Sequence, residues 1–404
     1  MEELPESALR WLEFTKRLGE AGVAIHQQAK GNRTPEQLAE VNQCLMIALC
    51  TSTLFQLRFD PNCPDWMPRL NSSLNMTGAS PDFIYSTTQI DGAGTYMLNG
   101  FRGSSARMHL SVDGGMMGFS PPMDSGQSYP NYGAYEIDDF DIATDGCFQI
   151  LASADKPEGY SGNWIPLNRD DRTSFLLLRQ ISYDLEKERD GWLTIRRIDR
   201  PVEQPRMSSY IEDRLAGLPD VVQRMAQAVV STLELQDFYG SDVNSIVDYS
   251  QKFGKVALIE GQAYFGGRFA ISSDQAVILE ISNFEGCEYW NAQVMDSFWG
   301  DLDFMFHQAS LNHCTGKVDP DGVLRLVLSE QDPGVNNWLD KSSYPEVALR
   351  LRFYKGSKPT IATKIVQTSQ VRDSLHPETA TVTPSQRQRL IGQRIEGLQR
   401  RRRW

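Results

Sequence analysis

The sequence predicts an α+β protein: two antiparallel β-sandwiches of jelly-roll type, related by an internal duplication, with helical segments at the N-terminus and between the sandwiches. Three observations carry this. Apolar residues recur at helical spacing in two main stretches, short two-residue alternation between turn residues fills most of the rest, and one half of the chain echoes the other. The 404 residues exceed what one core organises, which favours two or three domains, and a 40% hydrophobic share excludes dominant disorder.

Residues 1–60 read as a helical segment. Leu9, Leu12 and Ile25, then Leu38, Val41, Leu45 and Leu49, recur at helical spacing, and Thr34-Pro35-Glu36-Gln37 offers an N-cap, a first-turn proline and a capping-box glutamine. Residues 61–205 read as the first sandwich, entered through an irregular run with Pro61, Pro64 and Pro68. Its strands alternate at 95–100, at 135–139 with Tyr135, Ile137 and Asp139 opposite the acids, and at 148–151. Residues 206–254 form a helical connection with a stripe of Val221, Val222, Met225, Val229, Leu233 and Leu235. Strand character resumes at Val256, giving a second sandwich over 255–358, and 359–404 read as an extended linker with a basic helical tail.

The echo is specific. Asp145-Gly146, Ser153, Pro157, Gly162-Asn163-Trp164-Ile165, Leu178-Arg179 and Tyr183 recur in order as Asp321-Gly322, Ser329, Pro333-Gly334, Asn337-Trp338-Leu339 and Leu349-Arg350-Leu351-Arg352-Phe353-Tyr354. Each copy reads as a tight Asp-Gly turn, a strand, a loop carrying Asn-Trp, and a return strand ending in arginine and an aromatic ring. A repeat of domain size is a tandem pair rather than a solenoid.

The C-terminal copy, together with Tyr289-Trp290, Asp319-Pro320, Asp332 and Asn336, resembles the mostly bacterial family labelled domain of unknown function twelve-fourteen. Upstream, Ser80-Pro81-Asp82-Phe83-Ile84-Tyr85, Gly162-Asn163-Trp164 and Arg179-Gln180-Ile181-Ser182-Tyr183-Asp184 are similar to the front half of its longer members. The resemblance spans residues 80 to 356, and its back half is the more specific. It implies helical segments with two sandwiches of viral-coat or nucleoplasmin-like shape, and no activity.

Lys and Arg number 40 against 52 Asp and Glu, a net charge of −12, which argues against nucleic acid as a partner. The longest unbroken apolar run, Cys44 to Cys50, falls short of a membrane span, and the opening Met-Glu-Glu-Leu-Pro-Glu lacks a cationic leader. The expectation is a cytoplasmic protein with no stable membrane insertion. Six cysteines without a C-x-x-C pair agree with free thiols, and without a leader the sequons at Asn71 and Asn75 read as chance. Phosphate-loop, dinucleotide, zincin and serine-hydrolase motifs are missing, the acids of 136–145 fail calcium-loop spacing, and no cofactor is expected. The tail from Pro384 to Trp404, with seven arginines and one glutamate, is expected to pack on the acidic body or another subunit. A salt-sensitive adaptor for membranes or nucleic acid is the weaker reading of it.

Asn163-Trp164 and Asn337-Trp338 either face a shared cleft or anchor loops. Arg179, Arg350 and Arg352 lie in apolar strands and need anionic partners, either Asp82, Asp184 or Glu186 within the chain or a ligand carboxylate or phosphate. His307 and His313, near Asp301, Asp303 and Cys314, are spaced poorly for one metal; each suits proton transfer or an ordinary loop histidine, with His109 a weaker candidate.

The expectation is therefore a cofactor-independent enzyme. It would hydrolyse, eliminate or isomerise a small oxygenated metabolite with an apolar body, in an aromatic-lined cleft between the sandwiches. His307 or His313 shuttles the proton, Asp82 with Tyr85 forms a second acid/base pair, and Arg179 and Arg352 anchor negative charge. Asn163, Tyr183 and Asn337 complete the binding set, and Trp164, Trp290 and Trp338 form its walls. The alternative is a non-catalytic ligand-binding or assembly protein whose Asn-Trp and Arg positions are structural, with helices and tail serving a homo-oligomer.

Overall fold

Helices α1 (Glu6–Gln28) and α2 (Pro35–Arg58) open the chain, and α3 (Met207–Glu234) follows the first sandwich. The computed structural model describes residues 4–29, 34–75, 78–120, 129–201, 207–234, 242–250, 261–296 and 298–401. The Gln37 and Leu233 side chains, Leu235 and Val256 lie outside what is described. The three helices pool their apolar stripes: Phe14 and Ile25 meet Val41, Ala48 and Phe55 of α2 and Val222, Met225 and Val229 of α3, over Phe175 and Phe298 of the β domains. Arg17 ties α1 to α3 through Asp220 at 2.6 Å and the Ala216 carbonyl at 2.7 Å. Within α2, Leu38–Arg58 is long and apolar enough by length and composition to cross a membrane, which the sequence reading did not anticipate; 33% of its apolar window is buried in the protein.

The first sandwich contains β1 (Met67–Leu70), β2 (Phe83–Ile90), β3 (Tyr96–Phe101), β4 (Arg107–Asp113), β5 (Asn131–Glu136), β6 (Cys147–Ser153), β7 (Asn163–Pro166), β8 (Ser174–Ile181) and β9 (Trp192–Arg197). The second contains β10 (Val247–Asp248), β11 (Gln262–Ala270), β12 (Gln275–Ser282), β13 (Tyr289–Met295), β14 (Ser310–Asn312), β15 (Leu324–Ser329), β16 (Trp338–Asp340), β17 (Glu346–Tyr354) and β18 (Thr360–Gln367). In the first, sheet β1-β2-β8-β4-β5 packs on sheet β7-β6-β3-β9; in the second, β10-β11-β17-β13-β14 packs on β16-β15-β12-β18. Strand for strand the two orders are the same, so the modules share one topology.

Each sandwich has its own apolar core, around Leu98, Leu110, Ile150 and Leu178 in one and around Leu279, Val294, Leu326 and Leu351 in the other. The five-stranded sheets turn their remaining faces toward each other. As a result β8 is buried along its whole length and β17 everywhere but its ends.

Several sequence boundaries move. β18 pairs with β12 along its length, so the second sandwich runs to Gln367 rather than ending at 358, and β10 places its start before 255. β18 escaped notice because it is an edge strand with mostly exposed side chains. β5 stops at Glu136, and Ile137–Asp139 turn as a short 3-10 helix whose Asp138 binds Arg102 at 2.6 and 2.8 Å. A short α4 (Val371–Ser374) precedes α5 (Pro384–Arg400), which starts at a Thr383 capping box with Gln386. All six cysteines are free.

Candidate functional site

Alternation along β17 decides which side chains reach the seam between the sandwiches. Leu349, Leu351 and Phe353 enter the second core, so Arg350 and Arg352 project from the opposite face, both nearly inaccessible to water. The ladders then align two matching rows. Tyr85, Arg179 and His109 stand abreast on β2, β8 and β4, and Tyr264, Arg352 and Asn291 on β11, β17 and β13. The adjoining rows differ: Thr87, Leu177 and Ser111 in the first sheet, Gly266, Arg350 and Gln293 in the second. The two Tyr-Arg rows converge, because the Tyr264 hydroxyl feels Arg352, Tyr85, Arg350 and Arg179 together.

Arg352 lies over the Phe83 ring of the first sandwich, 5.3 Å from its centre, and donates to Asn291 Oδ1 at 3.3 Å and to Gln293. Arg179 bonds His109 Nδ1 at 3.2 Å and lies 6.0 Å from the centre of the Tyr85 ring. Burial, with Arg179 and Arg107 nearby, pushes the His109 pKa down to about 3, so the imidazole is neutral. Arg350 donates to the Gly78 carbonyl and to Gln293 Oε1, each at 3.1 Å. Gly78 has φ +84°, and a Cβ there would strike that guanidinium, so this close approach requires glycine. Arg69 of β1 joins the group beside Arg179, Tyr85 and Tyr129, and burial lowers its pKa.

An acid in this company is Asp301, only 4% exposed and 3.7 Å from Arg350. The turn before it is fixed by Asp296 Oδ1, which accepts from the Phe298 and Gly300 amides at 2.8 Å each, and the Asp301 amide donates to Asn75 Oδ1 at 3.0 Å. Asp301 Oδ1 accepts from Gln293 Nε2 at 3.0 Å, whereas Oδ2 has no hydrogen-bond partner among the described residues. Burial raises its pKa to about 7, outweighing Arg350 and Arg352.

A second polar cluster lies further along the seam. Asp82, buried, accepts from Tyr289 Oη at 2.7 Å and from Asn312 Nδ2 at 3.0 Å, and Asn312 also donates to the Tyr183 carbonyl at 2.9 Å. Burial raises the Asp82 pKa against those hydrogen bonds, and raises that of Tyr289 well above its usual value. Tyr183 stacks on Tyr289 at 4.6 Å and His313 meets both rings edge-on. Burial depresses the His313 pKa more than Asp82 and Glu188 restore it.

Three arginines seven residues apart anchor the tail over this cluster. Arg387 binds Asp332 at 2.9 Å and covers the Trp338 ring at 5.2 Å, and Arg394 donates to the Ser310 carbonyl at 2.6 Å. Arg401 clasps Asp190 at 2.8 and 2.9 Å and donates to the Pro81 carbonyl at 2.6 Å. The basic tail thus packs on the body, as a strap from the second sandwich to the first.

The remaining sequence candidates divide. Asp82 and His313 come together around Tyr289 and Tyr183, while Tyr85 belongs with Arg179 and Arg352 in the arginine group. His307 does not reach either group: it is half exposed and bonds Asp340 at 2.9 Å. Trp290 fills the second core instead of walling a cleft.

Asn163 Nδ2 donates to the Asp141 and Gln149 carbonyls at 2.9 and 3.0 Å, and Asn337 Nδ2 to the Lys317 and Arg325 carbonyls at 2.6 and 2.9 Å. Trp164 and Trp338 each donate to a serine hydroxyl, Ser153 and Ser329, at 3.0 Å. These four residues lash loops onto the outer sheets. Asp184, one of the expected partners of the arginines, pairs with Lys187 at 2.8 Å. Sequence reasoning missed Asp301 as the acid of the arginine group, along with Arg69, Tyr264 and Gln293. Only the alternation of β11 and β13 opposite β17 could have pointed to the last two.

Residues 122–195 and 287–358 match the family model described as protein of unknown function (DUF1214). No curated protein matches the chain. A crystal structure of an uncharacterized protein from Burkholderia cenocepacia is 21% identical and covers 90% of this chain and 98% of its own, with a TM-score of 0.76, a likeness of fold. A Vibrio parahaemolyticus protein is 13% identical over 81% of this chain and 99% of its own, at a TM-score of 0.42. The matched segments share β5–β8 and their counterparts β14–β17, so the chain resembles the DUF1214 family once in each of its two sandwiches.

Proposed function

We propose that the protein is a cofactor-independent acid/base enzyme acting on a small oxygenated metabolite with an apolar body, bound at the seam between the inner sheets. The observation that carries this reading is Asp301: a buried carboxyl with one unbonded oxygen among the described residues, set beside guanidinium groups and titrating near neutrality. A carboxyl of that pKa both takes and returns a proton at physiological pH. Asp301 moves the proton, Arg179 and Arg352 hold the negative charge that develops on oxygen, and Tyr85, Tyr264 and Phe83 face the apolar body. Asp82 with His313 is the second acid/base pair, under the strap.

The test is deuterium incorporation from solvent into small carbonyl and carboxylate compounds, followed by NMR together with product formation. Expected is exchange or turnover that falls by about 100-fold or more in Asp301→Asn. Binding without exchange or turnover in any compound sinks the catalytic reading and leaves the second one, a ligand-binding or assembly protein. The satisfied Asn-Trp lashes favour that second reading. A cytoplasmic home is supported by the six free thiols. Self-association is supported by the exposed Leu9, Trp11 and Leu12 of α1 and Met46 of α2, and light scattering tests it.

A further inference from the structure

The outer side of the helical layer is uncharged. From Val41 to Leu57, α2 has no Asp, Glu, Lys or Arg. Val41, Cys44, Ala48 and Phe55 pack inward, and on the opposite side of the same helix Asn42, Met46, Cys50 and Leu57 stay exposed. α1 lies alongside: His26 Nε2 bonds Asn42 Oδ1 at 2.8 Å, and a Cβ on Gly22 would touch Leu45. At about 100° per residue, Leu12, Thr15, Gly19 and Val23 line the outward edge next to that contact, all four exposed. Glu6, Arg10, Glu13, Arg17 and Glu20 occupy the flank turned away from α2, and Lys16 marks the boundary. On that flank Arg10 reaches Glu212 and Arg17 reaches Asp220, both on α3.

A helix face left to water is normally charged. Here the charges of α1 are sorted onto one flank and the sector beside α2 is kept neutral, which is the pattern of a covered surface. The two helices, 23 and 24 residues long, measure about 35 Å by about 20 Å side by side, a footprint of about 700 Å². Each partner in a stable complex gives about 800 Å², so this face is of the right size for one.

Charge selects the occupant. The chain carries −12, so two copies repel on average and approach most easily through a neutral surface. A neutral stripe matches itself across a two-fold axis with no opposite charge required. A Cβ on Gly19 would meet only open space, which lets a second backbone come close. Thr15 and Asn42 carry hydrogen-bonding groups that a protein partner satisfies and hydrocarbon does not. A helix lying on a membrane has Lys and Arg flanking its apolar stripe, whereas the flank here carries Glu13 and Glu20.

We propose that the outer face of the α1–α2 pair docks on the same face of a second copy, forming an isologous four-helix layer. This rests on the reading that the chain self-associates, and it assigns the surface.

Sedimentation equilibrium of the full chain over a concentration series is the test, with maleimide labelling of Cys50 followed by mass spectrometry at each concentration. Expected is a species of two chains in which Cys50 labels at least tenfold more slowly than in the dilute monomer, while exposed Cys147 on β6 labels at one rate throughout. Met46→Glu and Val23→Glu alter side chains that are 71% and 58% exposed, so the chain should stay folded by circular dichroism while the dimer weakens at least tenfold. Ile365→Glu, at an exposed apolar residue of β18, should leave the dimer intact. A dimer that withstands both helix variants, leaves Cys50 fully reactive, or is lost only in Ile365→Glu overturns this surface and keeps self-association. A monomer at every concentration overturns both, and binding of that monomer to phosphatidylcholine vesicles assigns the face to a membrane instead.

Discussion

In the first sandwich Asn163 ties the 141 turn to β6 and Trp164 reaches Ser153; in the second Asn337 ties Lys317 to β15 and Trp338 reaches Ser329, through the same atoms. The faces that meet at the seam have diverged. One row keeps Tyr-Arg in both copies but pairs it with His109 in one and Asn291 in the other, and the next row replaces Leu177 by Arg350. The lashes that hold each sandwich repeat atom for atom, whereas at the seam the Tyr-Arg pair repeats and its neighbours differ. Duplication preserved the scaffold twice and left the joint free to change.

The sharpest test of that contrast is removal of the two indoles. Trp338 is 7% exposed and lies under Arg387, whereas Trp164 is only partly buried. Trp338→Ala should cost about 3–5 kcal/mol in urea unfolding and Trp164→Ala clearly less; equal losses would mean that the strap adds nothing to the second lash. Next, Arg350→Leu copies the first sandwich's residue into the second. It strips the Gly78 carbonyl and Gln293 of a donor and Asp301 of a nearby cation, and should cost about 2–4 kcal/mol, against about 1 kcal/mol for Thr87→Ala in the matching row, where Thr87 donates to the Leu176 carbonyl.

Among the described residues of the first sandwich's seam-facing rows there is no acid like Asp301, and its titration separates the halves by pH. Its carboxyl moves from 3.8 to about 7 on folding. Between these values the folded chain binds more proton than the unfolded one, so the contribution is fully present below pH 4 and is lost as pH rises through 7. Asp301→Asn should flatten that decline in denaturation midpoints measured from pH 4.5 to 8; an unchanged slope would assign Asp301 an ordinary pKa. The smallest effect is Asn163→Ala, about 1 kcal/mol for a lash at the surface, with Asn337→Ala larger because that amide is buried.

The duplication was legible because the lash motifs are local: an Asp-Gly turn, a serine and an Asn-Trp pair at similar separations carry their own hydrogen bonds. The arginines were legible as misfits in apolar strands, and alternation assigns them a face. Asp301 was not, since its burial depends on Asn75 and Arg350, far away in the chain, and a loop aspartate carries no sign of that. His307 misled for the converse reason. A histidine beside acids reads as catalytic, but its loop leaves it half in water on Asp340. β18 was lost because edge strands lack the buried face that periodicity detects.

Arg401 meets Pro81 across 320 positions and Tyr289 meets Asp82 across 207. Contacts of that range form slowly, because the intervening chain must be confined before they give anything back. Each sandwich, by contrast, also holds ladders between strands close in sequence, such as β6 with β7 and β15 with β16. Contacts across the seam and under the strap are therefore expected to form after the local pairings within each sandwich.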